Sequence, residues 1–217
     1  MKIKVLFADD HAVFHECVKA LFSPEENIQV IATAGDGRAA VRLARELKPD
    51  VVVMDLAMPL LNGFEATRQI IADNAQAKIV ALSSHKDRKN ILAALKAGAR
   101  GYVIKDAAIA ELQQAIEAVA GGRMFLSSHI IDKVIDSLLV GDEDNTRELS
   151  PLDRLSTRER EIMQLLVEGH NTRDIAKMLS VSPKTIESHR HNVMQKLGVD
   201  SLSELTRIAI REGLTSL

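Results

Sequence analysis

The chain has 217 residues, 46% of them hydrophobic, enough for one large core or two small ones, so the number of domains is left open. A formal net charge of −2 and a pI near 6.4 give no compositional support for nucleic-acid binding, so that case has to come from local pattern. The single cysteine, Cys17, excludes an intramolecular disulfide and a Cys-rich zinc module.

No apolar run approaches the ~18 residues that span a bilayer, and Asp9 and Asp10 interrupt the one candidate signal segment. The reading is a soluble, cytoplasmic protein without a membrane partner. In chain order, short β-branched runs at Ile3–Ala8, Ile28–Ala32, Val51–Asp55, Lys78–Ser83 and Gly101–Ile104 predict five strands. The intervals have helical spacing, as in Ile109, Leu112 and Ile116. Cys17 falls in one such interval, with Val13, Phe14, Val18 and Leu21, which predicts a buried core thiol. Strands alternating with helices imply a parallel sheet covered on both faces.

Gly121-Gly122 ends this pattern and bounds a first domain at 1–122. Ile130, Ile131, Val134, Ile135 and Leu138 predict a further helix over 127–140. The acidic stretch from Gly141 to Thr146 loses apolar periodicity and Ser150-Pro151 adds a breaker, so a flexible linker is placed at about 140–152. The segment 123–152 is thus a linker with one helix. From 153 to 217 the pattern is helical throughout. Ser156 and Glu159 form a capping-box pattern before Ile162, Leu165 and Leu166, and Gly169 stops that helix. A second helix holds Ile175, Ala176 and Leu179. Ser182 caps a third that starts at Pro183 and carries Ile186, Val193 and Leu197 on its apolar face. Three short helices around a tight turn suggest helix-turn-helix, with the last as reader.

In an open parallel sheet, ligands bind beyond the carboxyl ends of the strands, where strand order reverses. A flavodoxin-like order of 2-1-3-4-5 places the ends of the first strand, Asp9-Asp10, and of the third, Asp55, side by side, ~5 Å between strands. Carboxylates at that separation repel unless a cation neutralises them. Mg²⁺ suits the cluster, because it takes one or two carboxylates, keeps waters and leaves room for phosphate oxygens. The fifth strand ends at Lys105, whose ammonium can hold a transferred phosphoryl group, and the fourth at Ser83, whose hydroxyl can donate to it. Singly, each residue reads as a helix cap or a solvated side chain; together at four strand ends they read as a phosphoryl-transfer site.

These residues resemble the receiver domains of two-component response regulators. The matching text is Ala8-Asp-Asp-His11, Val53-Met-Asp-Leu-Ala-Met-Pro59 with Asn62-Gly63, Ala81-Leu-Ser83 and Lys96-Ala-Gly-Ala-Arg-Gly-Tyr-Val-Ile-Lys105. The resemblance implies Asp55 as phosphoacceptor, Asp10 and Asp55 as direct Mg²⁺ ligands with the Ala57 carbonyl, and Asp9 acting mainly through water. It also implies that Ser83 and Tyr102 report phosphorylation by moving together. From the residues alone, Tyr102 reads as a half-buried core residue. Two details vary within receivers: Ala57 offers no polar side chain to the phosphoryl group, and Asp106 stands where many receivers have proline after the lysine, so a cis-proline turn is absent.

On the third C-terminal helix, Lys184, Ser188, His191 and Gln195 make a polar stripe opposite the apolar face. A solvated helix face looks the same. The domain resembles that of the NarL/FixJ class, also called LuxR-type, through Leu155-Ser-Thr-Arg-Glu159, Glu168-Gly169, Asp174-Ile-Ala176, Leu179, Ser182, Thr185-Ile186, His189 and Lys196-Leu-Gly198. The resemblance implies phosphate contacts from Ser182, Thr185 and Lys196, and base-facing positions at Glu187, Ser188 and His191. His189 is read as a structural, hydrogen-bonding residue. Glu187 departs from relatives that carry a basic or neutral residue there; a carboxylate accepts from cytosine N4 and is repelled by phosphates.

The whole chain then reads as a phosphorylation-dependent transcription regulator and not an enzyme beyond its own phosphoryl chemistry. Its expected partners are a sensor histidine kinase, double-stranded DNA and a second copy of itself when phosphorylated, with RNA polymerase a further candidate. A haloacid-dehalogenase-like phosphohydrolase is the competing class, but it needs a second acid at the position of Ala57. An RNA-reading module would need aromatic platforms, and aromatic residues are 3% of the chain.

Overall fold

The computed structural model describes residues 2–22, 27–105, 108–128, 130–131 and 150–215. All but the start of the predicted helix over 127–140, most of the linker and Asp106 lie outside these residues, and so does the Cys17 side chain. The chain divides into two compact units, one holding a sheet and one all-helical.

The first unit alternates β1 (Ile3–Ala8), α1 (Ala12–Leu21), β2 (Ile28–Ala34), α2 (Gly37–Leu47), β3 (Val51–Asp55), α3 (Gly63–Asp73), β4 (Ile79–Ser83), α4 (Arg88–Ala97), β5 (Gly101–Ile104) and α5 (Ala108–Ala120). A short β6 (Phe125–Leu126) follows. All pairings are parallel, in the order β2-β1-β3-β4-β5-β6, so the expected 2-1-3-4-5 sheet is present with one strand added at its edge. The sixth strand comes from the turn that ends α5. Gly122 adopts φ +80° and Arg123 N–H donates to the Ala118 carbonyl, which reverses the chain onto β5, where Phe125 pairs with Gly101 and Leu126 with Tyr102.

The inner strands are buried on both faces, as crossover helices require, while the outer β2 and β6 are partly exposed. Val5, Phe7, Val51, Val53, Val80, Leu82 and Val103 pack with Leu112, Ala115, Ile116 and Val119 of α5 and Val18 of α1. Residues of the opposite pleat, including Ala81, Tyr102 and Ile104, meet Ile91 and Ala94 of α4. The register pairs Ala8 with Met54 and Asp55 with Leu82, and so brings Asp9, Asp55 and Ser83 to one edge.

The second unit opens with a 3₁₀ turn over Pro151–Arg154 and continues as α6 (Thr157–Val167), α7 (Thr172–Met178), α8 (Pro183–Leu197) and α9 (Leu202–Arg211). The expectation of three helices is short by one: α9 closes the core through Leu205 and Ala209. The capping box at α6 is complete, with Ser156 Oγ accepting from Glu159 N–H and Glu159 accepting from Ser156 N–H. Ser182 caps α8 by accepting from Thr185 N–H, and Ile186 and Val193 are fully buried beneath it.

Candidate functional site

Asp55 ends β3 and is buried, with about 1% of its surface exposed. Its Oδ1 accepts from the Ala57 N–H at 3.1 Å and its Oδ2 accepts from Lys105 Nζ at 2.8 Å. Lys105 Nζ also stands 2.9 Å from Asp9 Oδ2, and 5.8 Å from the centre of the Phe14 ring. Asp9 is fully buried, whereas Asp10 is on the rim with its side chain 35% exposed. Asp9, Asp10 and Asp55 are therefore brought together, and Lys105 bridges two of them.

Burial pushes the Asp55 carboxyl above its ordinary range, opposed by the Lys105 ammonium and reinforced by the Asp9 charge. Burial works against the Lys105 charge too, but there the Asp55 and Asp9 carboxylates outweigh it and the ammonium is held more tightly than usual. Asp55 is thus a buried carboxyl paired with one cation.

One atom each from Asp9, Asp10, His11 and Asp55 forms a group whose members all lie within 4.8 Å of one another. This acidic mouth is compatible with a divalent cation. His11, which follows the acid pair directly, completes the group. Its Nδ1 is 2.7 Å from Asp10 Oδ1 and 3.1 Å from Asp9 Oδ1. Gly63 is fixed by the backbone around it. A Cβ there would stand 2.0 Å from the Asp55 carbonyl oxygen, so only glycine lets α3 begin against the end of β3.

Ser83 and Tyr102 meet through a third residue. Ser83 Oγ accepts from the His85 N–H at 3.1 Å, and the Tyr102 hydroxyl donates to the His85 carbonyl at 2.9 Å. Tyr102 is fully buried and not half-buried as its sequence pattern suggests, because β6 and α4 close over it. That burial pushes its phenol up to about 12, so it is neutral at physiological pH.

On α8, Ser182, Lys184, Thr185, Glu187, Ser188, His191, Gln195 and Lys196 are all exposed. Ser182 Oγ and Thr185 Oγ1 share a 2.8 Å hydrogen bond at the helix N-terminus, and Ser188 Oγ donates to the Lys184 carbonyl. Lys196 stands apart from the stripe: its Nζ is 2.7 Å from Glu159 Oε2, which ties α8 to the start of α6. His189 is half-buried, and its Nδ1 has no hydrogen-bond partner among the described residues, so that nitrogen does not carry the bond expected of it.

A parallel sheet with three acids and a lysine at its carboxyl edge, joined to a four-helix unit with an exposed polar helix, defines a receiver coupled to a helix-turn-helix reader. Residues 5–117 match the family described as response regulator receiver domain, and residues 153–209 match the bacterial regulatory proteins of the luxR family. The transcriptional regulatory protein DegU of Brevibacillus brevis is 34% identical, over 98% of this chain and 94% of its own length. The response regulator GacA of Pseudomonas aeruginosa is 35% identical over 98% of this chain and 97% of its own, and UvrY of Escherichia coli is 35% identical over 98% and 95%.

Among solved structures, a LuxR-family response regulator from Aurantimonas is similar at 37% identity and a TM-score of 0.61, over 64% of this chain and 99% of that one. The response regulator RcsB in its DNA complex is similar at 25% identity and a TM-score of 0.58, over 97% of this chain and 98% of that one. The chain belongs to the NarL/FixJ family of two-component response regulators and is a DNA-binding regulator of transcription. Among the described residues, no helix is long and apolar enough to cross a membrane.

Proposed function

We propose that the chain accepts a phosphoryl group from a sensor histidine kinase on Asp55 and thereby controls DNA binding by α8. The observation that carries this is the buried Asp55 carboxylate, bridged to the buried Asp9 carboxylate by the Lys105 ammonium at the carboxyl edge of the sheet. An Asp55 oxygen attacks phosphorus, the phosphorus bond to the donor imidazole breaks, and the imidazole leaves. Lys105 meets the negative charge on the transferred group, and the Ala57 N–H steadies the acceptor carboxylate. Asp10, Asp55 and the Ala57 carbonyl would hold Mg²⁺, with Asp9 assisting through water, and the ion would supply further charge neutralisation. Hydrolysis of the aspartyl phosphate at the same site resets the protein.

Ser83 and Tyr102 carry the signal outward, since both hydroxyls are tied to the His85 backbone and a change at Ser83 rearranges the turn before α4. The receiver spans 1–122, the linker 123–152 and the reader 153–217. On double-stranded DNA, Ser182, Lys184, Thr185 and Lys196 meet phosphates, while Glu187, Ser188 and His191 face base edges. The phosphorylated chain acts as a homodimer in the cytoplasm, with RNA polymerase as a further partner. The test is incubation with Mg²⁺ and a small phosphodonor followed by intact-mass measurement. One phosphoryl adduct is expected on the wild type and none on Asp55→Asn; an adduct retained by the variant rules Asp55 out as sole acceptor.

A further inference from the structure

Strand β5 has a neighbour on each side, but not along its whole length. On one side Ile104 pairs with Ser83 of β4. On the other, β6 pairs with Gly101 and Tyr102, and Ile104 lies beyond its end. Ile104 is fully buried, so its N–H needs a partner there in place of water. Ser127 supplies one. Its own N–H donates to the Tyr102 carbonyl at 2.9 Å, and its Oγ accepts from the Ile104 N–H at 3.2 Å. Ser127 is fully buried too, and its hydroxyl donates to Glu111 Oε2 in the first turn of α5. A hydroxyl has one proton, so once Glu111 takes it the oxygen faces Ile104 as an acceptor. Ser128 adds its N–H and its hydroxyl to Glu111 Oε1, at 3.4 and 3.0 Å, and both of these bonds run to α5.

Lys105 follows Ile104 directly, and its Nζ stands 2.8 Å from Asp55 Oδ2 and 2.9 Å from Asp9 Oδ2. The residue after it is Asp106, so no proline ring stiffens the backbone on that side. We propose that Glu111, acting through the Ser127 hydroxyl, is a positioning residue for Lys105: it fixes the buried end of β5 and so holds the ammonium against the phosphoacceptor. Lys105 meets charge on the transferred group, and a displacement of about 1 Å at such a group costs on the order of a hundredfold in rate. Without the Glu111 carboxylate the Ser127 hydroxyl is free to turn its proton elsewhere, and the end of β5 loses a fixed acceptor. The role rests on the reading of Asp55 as phosphoacceptor given above, and adds what holds its cation in place.

The test is the rate at which the full chain gains a phosphoryl adduct from phosphoramidate with Mg²⁺, read by intact mass over a range of donor concentrations. The wild type is compared with Glu111→Ala, Glu111→Gln, Ser127→Ala and Ser128→Ala, and a thermal melt of each gives its folded fraction. Glu111→Ala and Ser127→Ala are expected to lower the saturating rate about tenfold or more, with the half-saturating donor concentration within about twofold of the wild type. Glu111→Gln keeps an oxygen that accepts from Ser127 and is expected to restore the rate to within about threefold. Ser128→Ala leaves the bond to Ile104 in place and is expected to match the wild type. Wild-type rates in both Glu111→Ala and Ser127→Ala overturn the positioning role. So does a Glu111→Gln as slow as Glu111→Ala, or a loss of rate that vanishes once the unfolded fraction is subtracted. These results leave Asp55 standing as acceptor. A wild type that gains no adduct overturns the acceptor itself, and the positioning role with it.

Discussion

Gly63 shows how narrow the tolerance around Asp55 is. The atom that a Cβ would strike is the backbone carbonyl of Asp55, with the Asp55 carbonyl carbon and Leu56 Cα at 2.8 Å behind it, so no flexible side chain can yield. Gly63→Ala is expected to destabilise the receiver by about 1–3 kcal/mol, the usual range for overpacking, and to abolish phosphoacceptance; urea unfolding and phosphodonor labelling check the two halves. Asp55 gives a prediction of opposite sign. Its carboxyl, held above the usual value of 3.8 chiefly by burial, binds a proton more tightly when folded. Its contribution to stability therefore falls as pH rises from about 3.8 through the folded value. At neutral pH and without metal, Asp55→Asn is expected to be more stable than the wild type. Added Mg²⁺ is expected to raise the melting temperature of the wild type far more than that of the variant.

Helix α8 has one face packed on the core and one face exposed. Ile186 and Val193 anchor it to the core, leaving Lys184, Ser188, His191 and Gln195 exposed. His191→Ala is expected to relax base preference, whereas Lys184→Ala weakens all sites alike and flattens the dependence of affinity on salt. Lys196→Ala is expected to weaken all sites too, but with a loss of thermal stability that Lys184→Ala does not share, since Lys196 pairs with Glu159. Binding across a randomised site library, with melting curves for each variant, separates the three. Burial alone would raise the Glu159 carboxyl, but its hydrogen bonds to Lys196 and Ser156 hold it below the usual 4.5. The stability it contributes is present above about pH 4.5 and lost as pH falls through the folded value. Lys196→Met is expected to lessen the acid sensitivity of the helical unit, measured by circular dichroism between neutral and acid pH.

At the scale of the whole molecule, a net charge of −2 sets the terms of DNA binding. A chain without a basic excess gains little from phosphate attraction, so one copy is expected to bind weakly and two copies on paired half-sites to bind more tightly. Phosphodonor and Mg²⁺ are expected to shift the chain from monomer to dimer in sedimentation and to raise DNA affinity over the same range of protein concentration. Dimerisation without a gain in affinity would separate the two events.

The sequence by itself determined the five central strands, the placement of Asp9, Asp10, Asp55, Ser83 and Lys105 at their ends, and the capped helices of the reader. These were legible because each rests on a local signal: β-branched runs, period 3.6, an acid after a strand, a serine three residues before a glutamate. Only the tertiary structure decided the rest. β6 is two residues long and carries no period, and its pairing depends on the reversal at Gly122. Full burial of Tyr102 follows from that added strand and from α4, neither of which touches it in sequence. Lys196 reads as a free cation until Glu159, far away along the chain, is folded against it. The demand for glycine at position 63 comes from a distance between backbone segments, and no single stretch of sequence encodes a distance.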